Sequence, residues 1–311
     1  MKKVGFVYDD LFLKHEMPVG HPESPQRLLK ILETLKKSSD IWNKLIHIKP
    51  RRADEDDILN VHTKKYFDNI KTFTGYYDPD TYISDNSFEA AMSAAGAVIE
   101  AIDRCKTGEI ERAFCAVRPP GHHAEANRAM GFCIFNNIAV GAGYAQKIGY
   151  KNVFIIDFDV HHGNGTQHIF EEDDTVFYFS THQYPHYPGT GRDSERGKGN
   201  GEGFTCNIPM RYDSGDKDYF SVYHDILPRL VRNFSPDIIL ISAGYDIHSK
   251  DPLSEINITN EGIRSIVREI LSCSTVTRHP FLPFIFTLEG GYNLHALSES
   301  VLITIEEMLV D

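Results

Sequence analysis

The stretch VFIIDFDVHHGNG (residues 153–165) decides the fold, because it joins an apolar run to a cluster of ionisable side chains. The run VFII (153–156) has the length and composition of a buried strand. Two carboxylates and two imidazoles follow it at once, in DFDVHHGNG (157–165). Ionisable groups at the end of a buried strand are costly unless they are paired or bind a metal. The stretch therefore predicts a buried strand that ends in a functional site.

Outward from this stretch, strand-like runs alternate with helical patterns. The predicted strands cover residues 2–9, 113–117, 153–157, 175–180, 238–243 and 284–289. The predicted helices cover residues 24–38, 87–106 (with Ser87 as N-cap), 136–149, 218–234 and 260–273. This alternation is typical of an α/β fold with a mainly parallel, multi-stranded sheet and helices on both faces. We expect a single three-layer catalytic domain over residues 1–311.

Polar segments follow five of the predicted strands. They read RPPGHHAE (118–125), DFDVHHGNG, STHQYPHYPGTG (180–191), SAGYD (242–246) and LEGGYN (288–293). Open parallel sheets bind ligands at the carboxyl ends of their strands, so the five segments together predict an active site there. The irregular stretch 182–204, rich in Gly, Pro and Tyr, is long enough to be a functional loop.

Composition narrows the range of functions. With 41% hydrophobic and 24% charged residues, the chain is typical of globular proteins. A net charge of −12 argues against direct nucleic-acid binding, which needs basic surface, and suits a cationic substrate better. No apolar run approaches the length of a membrane span, and the start MKKVGFVYDD lacks the apolar stretch of a secretory signal. Five scattered cysteines fit reduced thiols, so we expect a cytoplasmic protein.

A metal site is predicted from spacing. In an extended segment Asp157, Asp159 and His161 point to the same side, so Asp159 and His161 can ligate one metal. Asp246 in SAGYD can add a third ligand from another strand end, which leaves positions open for water and substrate. Zn²⁺ accepts these ligands, and Fe²⁺ suits them too. One alternative is that these residues form a surface loop or a helix cap. Another is a Mg²⁺-dependent phosphotransferase, but several nearby imidazoles favour a softer metal than Mg²⁺.

The Pro-Gly turn of RPPGHHAE carries His122 and His123, and such a pair near a metal suits general acid/base catalysis on water. Asp157 can orient His122, and Asn164 can orient His123. An anionic partner favours imidazolium and a neutral amide does not, so His123 is the better general base. The alternative is a pair of structural loop histidines. Tyr292 can donate a hydrogen bond to an oxyanion, although a tyrosine in such a place more often serves packing.

Together these motifs resemble the zinc-dependent histone deacetylase family. The similarity runs in order through HPESPQRL (21–28), RPPGHHAE, GFCIFNN (131–137), DFDVHHGNG, YPHYPGTG (184–191), SAGYDIHSKDPL (242–253) and LEGGYN, which is nearly the whole chain. It implies an arginase-like α/β fold and hydrolysis of an acetyl amide on a long amine side chain.

The resemblance also implies roles for individual residues. The zinc ligands match Asp159, His161 and Asp246. The catalytic residues match His122, His123 and Tyr292. The substrate tunnel matches Gly131, Phe132 and Tyr187, the last in place of the family's usual Phe. An arginine of an internal cavity below the metal matches Arg27. A structural potassium site, built largely from backbone oxygens, matches Asp157, Asp159, His161 and Ser180.

Three positions refine the resemblance. Asn164 stands where class I members carry Asp. In this respect the chain resembles the class II branch and its bacterial relatives. Tyr292 is present where one nearly inactive vertebrate subgroup has His, so we expect activity. Arginases bind two metals with an Asp-x-His-x-Asp motif, and here Gly163 replaces the last Asp. We therefore expect one catalytic metal rather than two, and no ureohydrolase.

We expect a zinc-dependent deacetylase of lysine side chains in proteins or peptides, with no nucleic-acid or membrane partner. One rival is an acetylpolyamine or other small-molecule amidohydrolase. The other is a non-catalytic binding module, against which the intact ligands, histidines and tyrosine argue. Polyamine-preferring relatives carry an acidic residue shortly after the third zinc ligand. Here the matching Leu253 offers no charge to a secondary amine. Asp78 or Asp80 at the rim can instead accept hydrogen bonds from a peptide backbone.

Overall fold

The computed structural model describes residues 2–277 and 281–310, and eight of the strands in it form one parallel sheet. In chain order the strands are β1 (Val4–Val7), β2 (Ile46–Ile48), β3 (Gly75–Tyr76), β4 (Tyr82–Ile83), β5 (Arg112–Cys115), β6 (Val153–Asp157), β7 (Val176–Gln183), β8 (Thr205–Met210), β9 (Ile238–Ala243) and β10 (Phe284–Leu288). Across the sheet the order is β2-β1-β5-β10-β9-β6-β7-β8, whereas β3 and β4 form a separate antiparallel hairpin. The predicted α/β fold class is confirmed.

The helices flank this sheet. They are α1 (Gln26–Lys37), α2 (Ser39–Trp42), α3 (Glu55–Leu59), α4 (Lys64–Ile70), α5 (Ser87–Lys106), α6 (Asn137–Lys147), α7 (Asn164–Phe170), α8 (Asp216–Ser221), α9 (Leu227–Phe234), α10 (Asn260–Ser272) and α11 (Leu294–Leu309). Helix α5 packs against α6, and α11 packs against α1 and α10. Among the described residues, no helix combines the length and apolar character needed to cross a membrane.

The central strands are apolar on both faces because helices cover them on both sides. All five residues of β6 are buried, and the ring of Phe154 in this strand stacks on Phe177 in β7 at 4.8 Å between centroids. Full burial of one such side chain contributes roughly 1.5–3 kcal/mol. The sheet is therefore a rigid base for the loops at its edge.

Two predicted helices differ in detail from the structure. The helix predicted over 218–234 is interrupted by a π-helical turn at Val222–Ile226. Pro228 follows in the first turn of α9, and because it has no N–H it cannot continue a regular α-helical ladder. The prediction that Ser87 caps α5 is wrong, since Asn86 precedes the helix. The hydroxyl of Ser87 instead accepts a hydrogen bond from the Ser84 N–H (2.8 Å) and pairs with His15 Nδ1 (2.7 Å).

The order of the strands positions the functional site. Strands β5, β10, β9, β6 and β7 are consecutive in the sheet, and each is followed by one of the polar segments singled out in the sequence. Parallel strands end at the same edge, so the five segments emerge side by side. Residues that are far apart in the chain are thereby organised around one edge of the sheet.

Candidate active site and metal centre

Three side chains at this edge could hold one metal ion. Asp159, His161 and Asp246 each offer a ligand atom, and these atoms all lie within 4.8 Å of one another. Nδ1 of His161 lies 3.1 Å from Oδ1 of Asp159 and 3.2 Å from Oδ2 of Asp246. Both aspartates are buried. The structure therefore brings together the three residues that the spacing and the resemblance singled out.

The surroundings of this cluster fit a cation. Oδ1 of Asp246 accepts a hydrogen bond from the Val160 N–H (3.0 Å), but its buried Oδ2 receives no well-aligned hydrogen bond among the described residues, since Nδ1 of His161, 3.2 Å away, lies outside hydrogen-bond geometry. Burial and the neighbouring Asp159 charge raise the pKa of Asp246 to about 7. A buried carboxylate oxygen without a donor is unfavourable, and a bound divalent cation would satisfy it. One imidazole and two carboxylates are ligands that Zn²⁺ accepts.

The histidine pair lies beside the cluster, and the two rings have different partners. Their centroids are 4.0 Å apart. Nδ1 of His122 lies 3.1 Å from Oδ2 of Asp157, whereas Nδ1 of His123 lies 2.8 Å from Oδ1 of Asn164. One ring therefore faces a carboxylate and the other an amide.

These partners separate the protonation of the two rings. Burial alone would lower the pKa of His122, but the charges of Asp157, Asp159 and Glu289 outweigh it and raise that pKa to about 10. Burial, reinforced by His122 and His161, lowers the pKa of His123 well below its usual range. His123 is thus neutral and able to accept a proton while its neighbour stays protonated.

Glu289 was not singled out in the sequence. It follows β10 within LEGGYN, where it is fully buried. Its Oε2 accepts hydrogen bonds from the N–H groups of Gly121 (2.6 Å) and His122 (3.2 Å), and its Oε1 accepts one from the Ser242 hydroxyl (3.0 Å). The carboxylate therefore holds the turn that carries the histidine pair. Its position at a strand end, among the five polar segments, is the signal that could have found it.

A small cavity of about 90 Å³ leads to these groups. The residues that line it are Asp80, Pro120, His122, His123, Gly131, Phe132, His161, Tyr187, Leu253, Gly290 and Tyr292. The ring of Phe132 meets that of Tyr292 edge-on at 5.9 Å, and the ring of Tyr187 meets that of His123 at 5.1 Å. The structure therefore places the aromatic residues and Leu253 around one narrow opening above the histidines.

The two rim aspartates have different roles in the structure. Oδ1 of Asp78 accepts hydrogen bonds from the N–H groups of Asp80 (3.1 Å) and Thr81 (2.6 Å), so it stabilises the turn of the β3–β4 hairpin. Asp80 lines the cavity, and burial together with Asp78 raises its pKa. Of the two, only Asp80 lines the cavity.

Tyr292 is held from two sides. Burial raises the pKa of its phenol well above the usual range, so the hydroxyl keeps its proton and can donate. The guanidinium of Arg27 lies 5.0 Å from the centre of its ring, and Nε of Arg27 donates to the carbonyl of Gly291 (2.7 Å). Asp251, which the sequence did not single out, joins this segment to another: its Oδ2 accepts from the Tyr292 N–H (2.6 Å) and its Oδ1 from the Leu253 N–H (3.0 Å).

Comparisons with known proteins show what the chain is similar to. The family model of the histone deacetylase domain matches residues 21–308. A probable deacetylase of Archaeoglobus fulgidus is 38% identical over 294 residues, which are 93% of this chain and 81% of that protein. Histone deacetylase 15 of Arabidopsis thaliana is 39% identical over 299 residues, which are 93% of this chain and 53% of that protein.

Similarity in structure is equally extensive. The crystal structure of the HDA15 HD domain superimposes with a TM-score of 0.91 at 37% sequence identity, and it covers 99% of this chain and 91% of that one. The chain spans about half the length of several plant relatives, such as histone deacetylase 5 of Arabidopsis thaliana at 49%.

Proposed function

The chain belongs to the histone deacetylase family of amide hydrolases, and from this premise we propose that it is a zinc-dependent deacetylase of acyl-lysine side chains in proteins or peptides. The observation that carries the proposal is the pair of adjacent histidines, one facing a carboxylate and one an amide, beside an Asp-His-Asp cluster at the end of an aromatic cavity. We propose Asp159, His161 and Asp246 as the residues that hold the zinc. When bound there, Zn²⁺ would supply Lewis acidity toward the substrate carbonyl and the attacking water.

The chain's own groups account for the proton transfers. Because Oδ1 of Asn164 can only accept, Nδ1 of His123 carries the hydrogen and Nε2 is free to take a proton from water. His122, kept as an imidazolium by Asp157, can give a proton to the leaving amine. The phenol of Tyr292 donates a hydrogen bond to the carbonyl oxygen as negative charge develops on it.

Lysine as the substrate is supported by the shape and polarity of the cavity. Phe132, Tyr187 and Leu253 offer apolar contact to the four methylenes of a lysine side chain. Asp80 at the cavity can accept hydrogen bonds from the backbone N–H groups of a peptide. A polyamine would place a charged secondary amine beside Leu253, where its desolvation would be uncompensated.

Acetylpolyamines remain the second candidate, since the Asp80 carboxylate lines the same cavity and could pair with an amine. To distinguish the two candidates, kcat/KM is measured for an acetyl-lysine peptide and for N8-acetylspermidine. Each measurement is made with a chelator and with added Zn²⁺. We expect the peptide to be preferred, chelator to abolish turnover, and Leu253→Glu to gain polyamine activity. Asp80→Asn should raise KM for the peptide and leave kcat nearly unchanged. A polyamine value tenfold above the peptide value would overturn the lysine assignment.

We also propose a structural K⁺ near Asp157, Asp159, His161 and Ser180. Asp157 and Ser180 are partners across β6 and β7, which places their oxygens next to each other. The Ser180 hydroxyl also bonds to Nδ1 of His182 (2.9 Å). Melting temperatures in potassium chloride and in tetramethylammonium chloride at equal ionic strength test this proposal. A higher Tm in potassium is expected, and equal values would contradict it.

A further inference from the structure

We propose that Glu125 is a positioning residue that fixes the tautomer of His123 through the side-chain amide of Asn164. The inference rests on the proposed function, in which His123 accepts a proton from water. Neither the sequence motifs nor the resemblance gave Glu125 a role, although it closes the segment RPPGHHAE. Three consecutive contacts carry the inference: imidazole to amide, amide to carboxylate, and carboxylate to a second imidazole.

The amide of Asn164 lies between His123 and Glu125. Its Oδ1 is 2.8 Å from Nδ1 of His123, and its Nδ2 donates to Oε1 of Glu125 at 2.5 Å. The same Nδ2 has two weaker acceptors, the His123 carbonyl at 3.3 Å and the Met130 sulfur at 3.4 Å. A hydrogen bond to a carboxylate is roughly twice as strong as one between neutral groups, so the short contact to Glu125 dominates.

An amide needs such a partner, whereas an aspartate would not. A carboxylate such as Asp157 can only accept, so it keeps a hydrogen on Nδ1 of His122 without help. An asparagine can turn either its oxygen or its nitrogen toward an imidazole. With the nitrogen turned toward His123, Nδ1 would accept, Nε2 would carry the hydrogen, and the ring could no longer take a proton on the side of the substrate.

Glu125 is itself held firmly. It is 8% exposed, and Nδ1 of His168 lies 2.9 Å from its Oε1 and 3.1 Å from its Oε2. Its carbonyl pairs with Nδ1 of His62 (3.0 Å), and its N–H donates to the Arg128 carbonyl (3.0 Å). The backbone of Glu125 is thus fixed by two hydrogen bonds, and its carboxylate is fixed by His168. The carboxylate can therefore hold the amide of Asn164 in one orientation.

Substitutions at both ends of the short contact test the proposal. In Glu125→Ala, kcat should fall about tenfold or more while KM and metal content stay within about twofold, because a general base contributes roughly 10²–10⁴ in rate. Asn164→Asp should also lose activity, since it sets two carboxylates against each other. Adding Glu125→Gln to Asn164→Asp should restore at least about tenfold, because the amide introduced at position 125 can donate where Asn164 donated before.

The matched control is Glu307→Ala. Glu307 is 7% exposed and binds Arg264 and Arg268 in ion pairs between α10 and α11, away from the histidines. This change should lower Tm and leave kcat unaltered. A purely structural role for Glu125 predicts the same result for Glu125→Ala, and it predicts no rescue in the double variant.

A spectroscopic measurement separates this inference from the proposed function. Nitrogen-15 shifts of the His123 ring report its tautomer directly, whatever substrate the enzyme turns over. The wild type should show hydrogen on Nδ1, and Glu125→Ala should show a mixture. An unmixed Nδ1–H signal in Glu125→Ala, or a double variant no more active than Asn164→Asp, would overturn the role of Glu125. Inactivity of the wild type on every acyl-lysine peptide would refute the proposed function instead.

Discussion

Gly290 leaves the space that the two carboxylates of the candidate metal cluster occupy, so Gly290→Ala should abolish tight metal binding. A Cβ at this position would lie 2.0 Å from Oδ2 of Asp246 and 2.6 Å from Oδ2 of Asp159. Real Cβ contacts are essentially never shorter than 3.0 Å, so the Asp246 oxygen must move by about 1.0 Å. The backbone itself tolerates alanine, because Gly290 does not have a left-handed conformation.

The size of this displacement decides the outcome. Metal–ligand distances in proteins vary by only about 0.2 Å, so a shift of about 1.0 Å removes the oxygen from the coordination sphere. Changing a residue that merely orients a ligand already costs about 10–100-fold in metal affinity. We therefore expect Gly290→Ala to bind Zn²⁺ at least about 100-fold more weakly than the wild type and to lose turnover in proportion.

Competition with a fluorescent chelator measures the Zn²⁺ affinity, and thermal unfolding of the metal-free proteins checks the fold. Gly143→Ala in α6 is the matched control. Its new Cβ would lie 3.4 Å from Cβ of Asn60, an ordinary contact, and alanine favours a helix by up to about 1 kcal/mol over glycine. The control should keep its zinc affinity and melt no lower than the wild type. A Gly290→Ala protein with a zinc Kd within about threefold of the wild type would refute the reasoning.

Three further results are expected. Tyr292→Phe should keep its fold and metal content but lose about 10²–10³ in kcat, as is usual for one oxyanion donor; a loss under about threefold would show that the phenol only packs. Hydroxamates with an alkyl chain should inhibit, because the chain fits between Phe132 and Tyr187; no inhibition at millimolar concentration would contradict an open metal site. Burial lowers the pKa of His62 to about 4. As the pH falls, this imidazole therefore takes up a proton in the unfolded chain before it does so in the folded protein. The free energy of unfolding should fall by roughly 3 kcal/mol between pH 6.5 and 4 for this reason. Urea denaturation of the wild type and His62→Phe across this range measures that component, which the variant should lack.

The sequence could predict the sheet and the residues at its edge because both depend on local patterns. Apolar runs such as VFII and IILISA are buried on both faces, so their composition alone indicates a strand. The alternation in Asp157, Asp159 and His161 depends only on the geometry of an extended chain. Short segments at strand ends are therefore enough to indicate the candidate metal cluster and the histidine pair.

Elements without a clear pattern could not be predicted in this way. Helix α11 is apolar around most of its surface because it packs against both α1 and α10, so it lacks an amphipathic stripe. Strand β8 lies at an edge of the sheet and contains Asn207 and Pro209, which are poor strand formers.

The carboxylates that support the site escaped prediction for another reason. Glu289 binds the Gly121 N–H from 168 residues away, and Asp251 binds the Tyr292 N–H from 41 residues away. Glu125 and Asn164 are 39 residues apart. A position inside a polar segment can single out such a residue, but its partner is fixed only by the tertiary fold and leaves no local sign in one sequence.

The contact between Asp251 and residue 253 has a consequence for how this enzyme can evolve. Asp251 holds that residue by its backbone N–H, so the side chain at the cavity mouth can be exchanged while the segment that carries Tyr292 stays in place. Under the role proposed for Leu253 in substrate choice, we expect single substitutions there to change the preferred substrate and to leave the catalytic groups in place. Proline is the exception, because it has no N–H to donate. A library of variants at this one position would therefore share the same catalytic groups and differ in the side chain that meets the substrate.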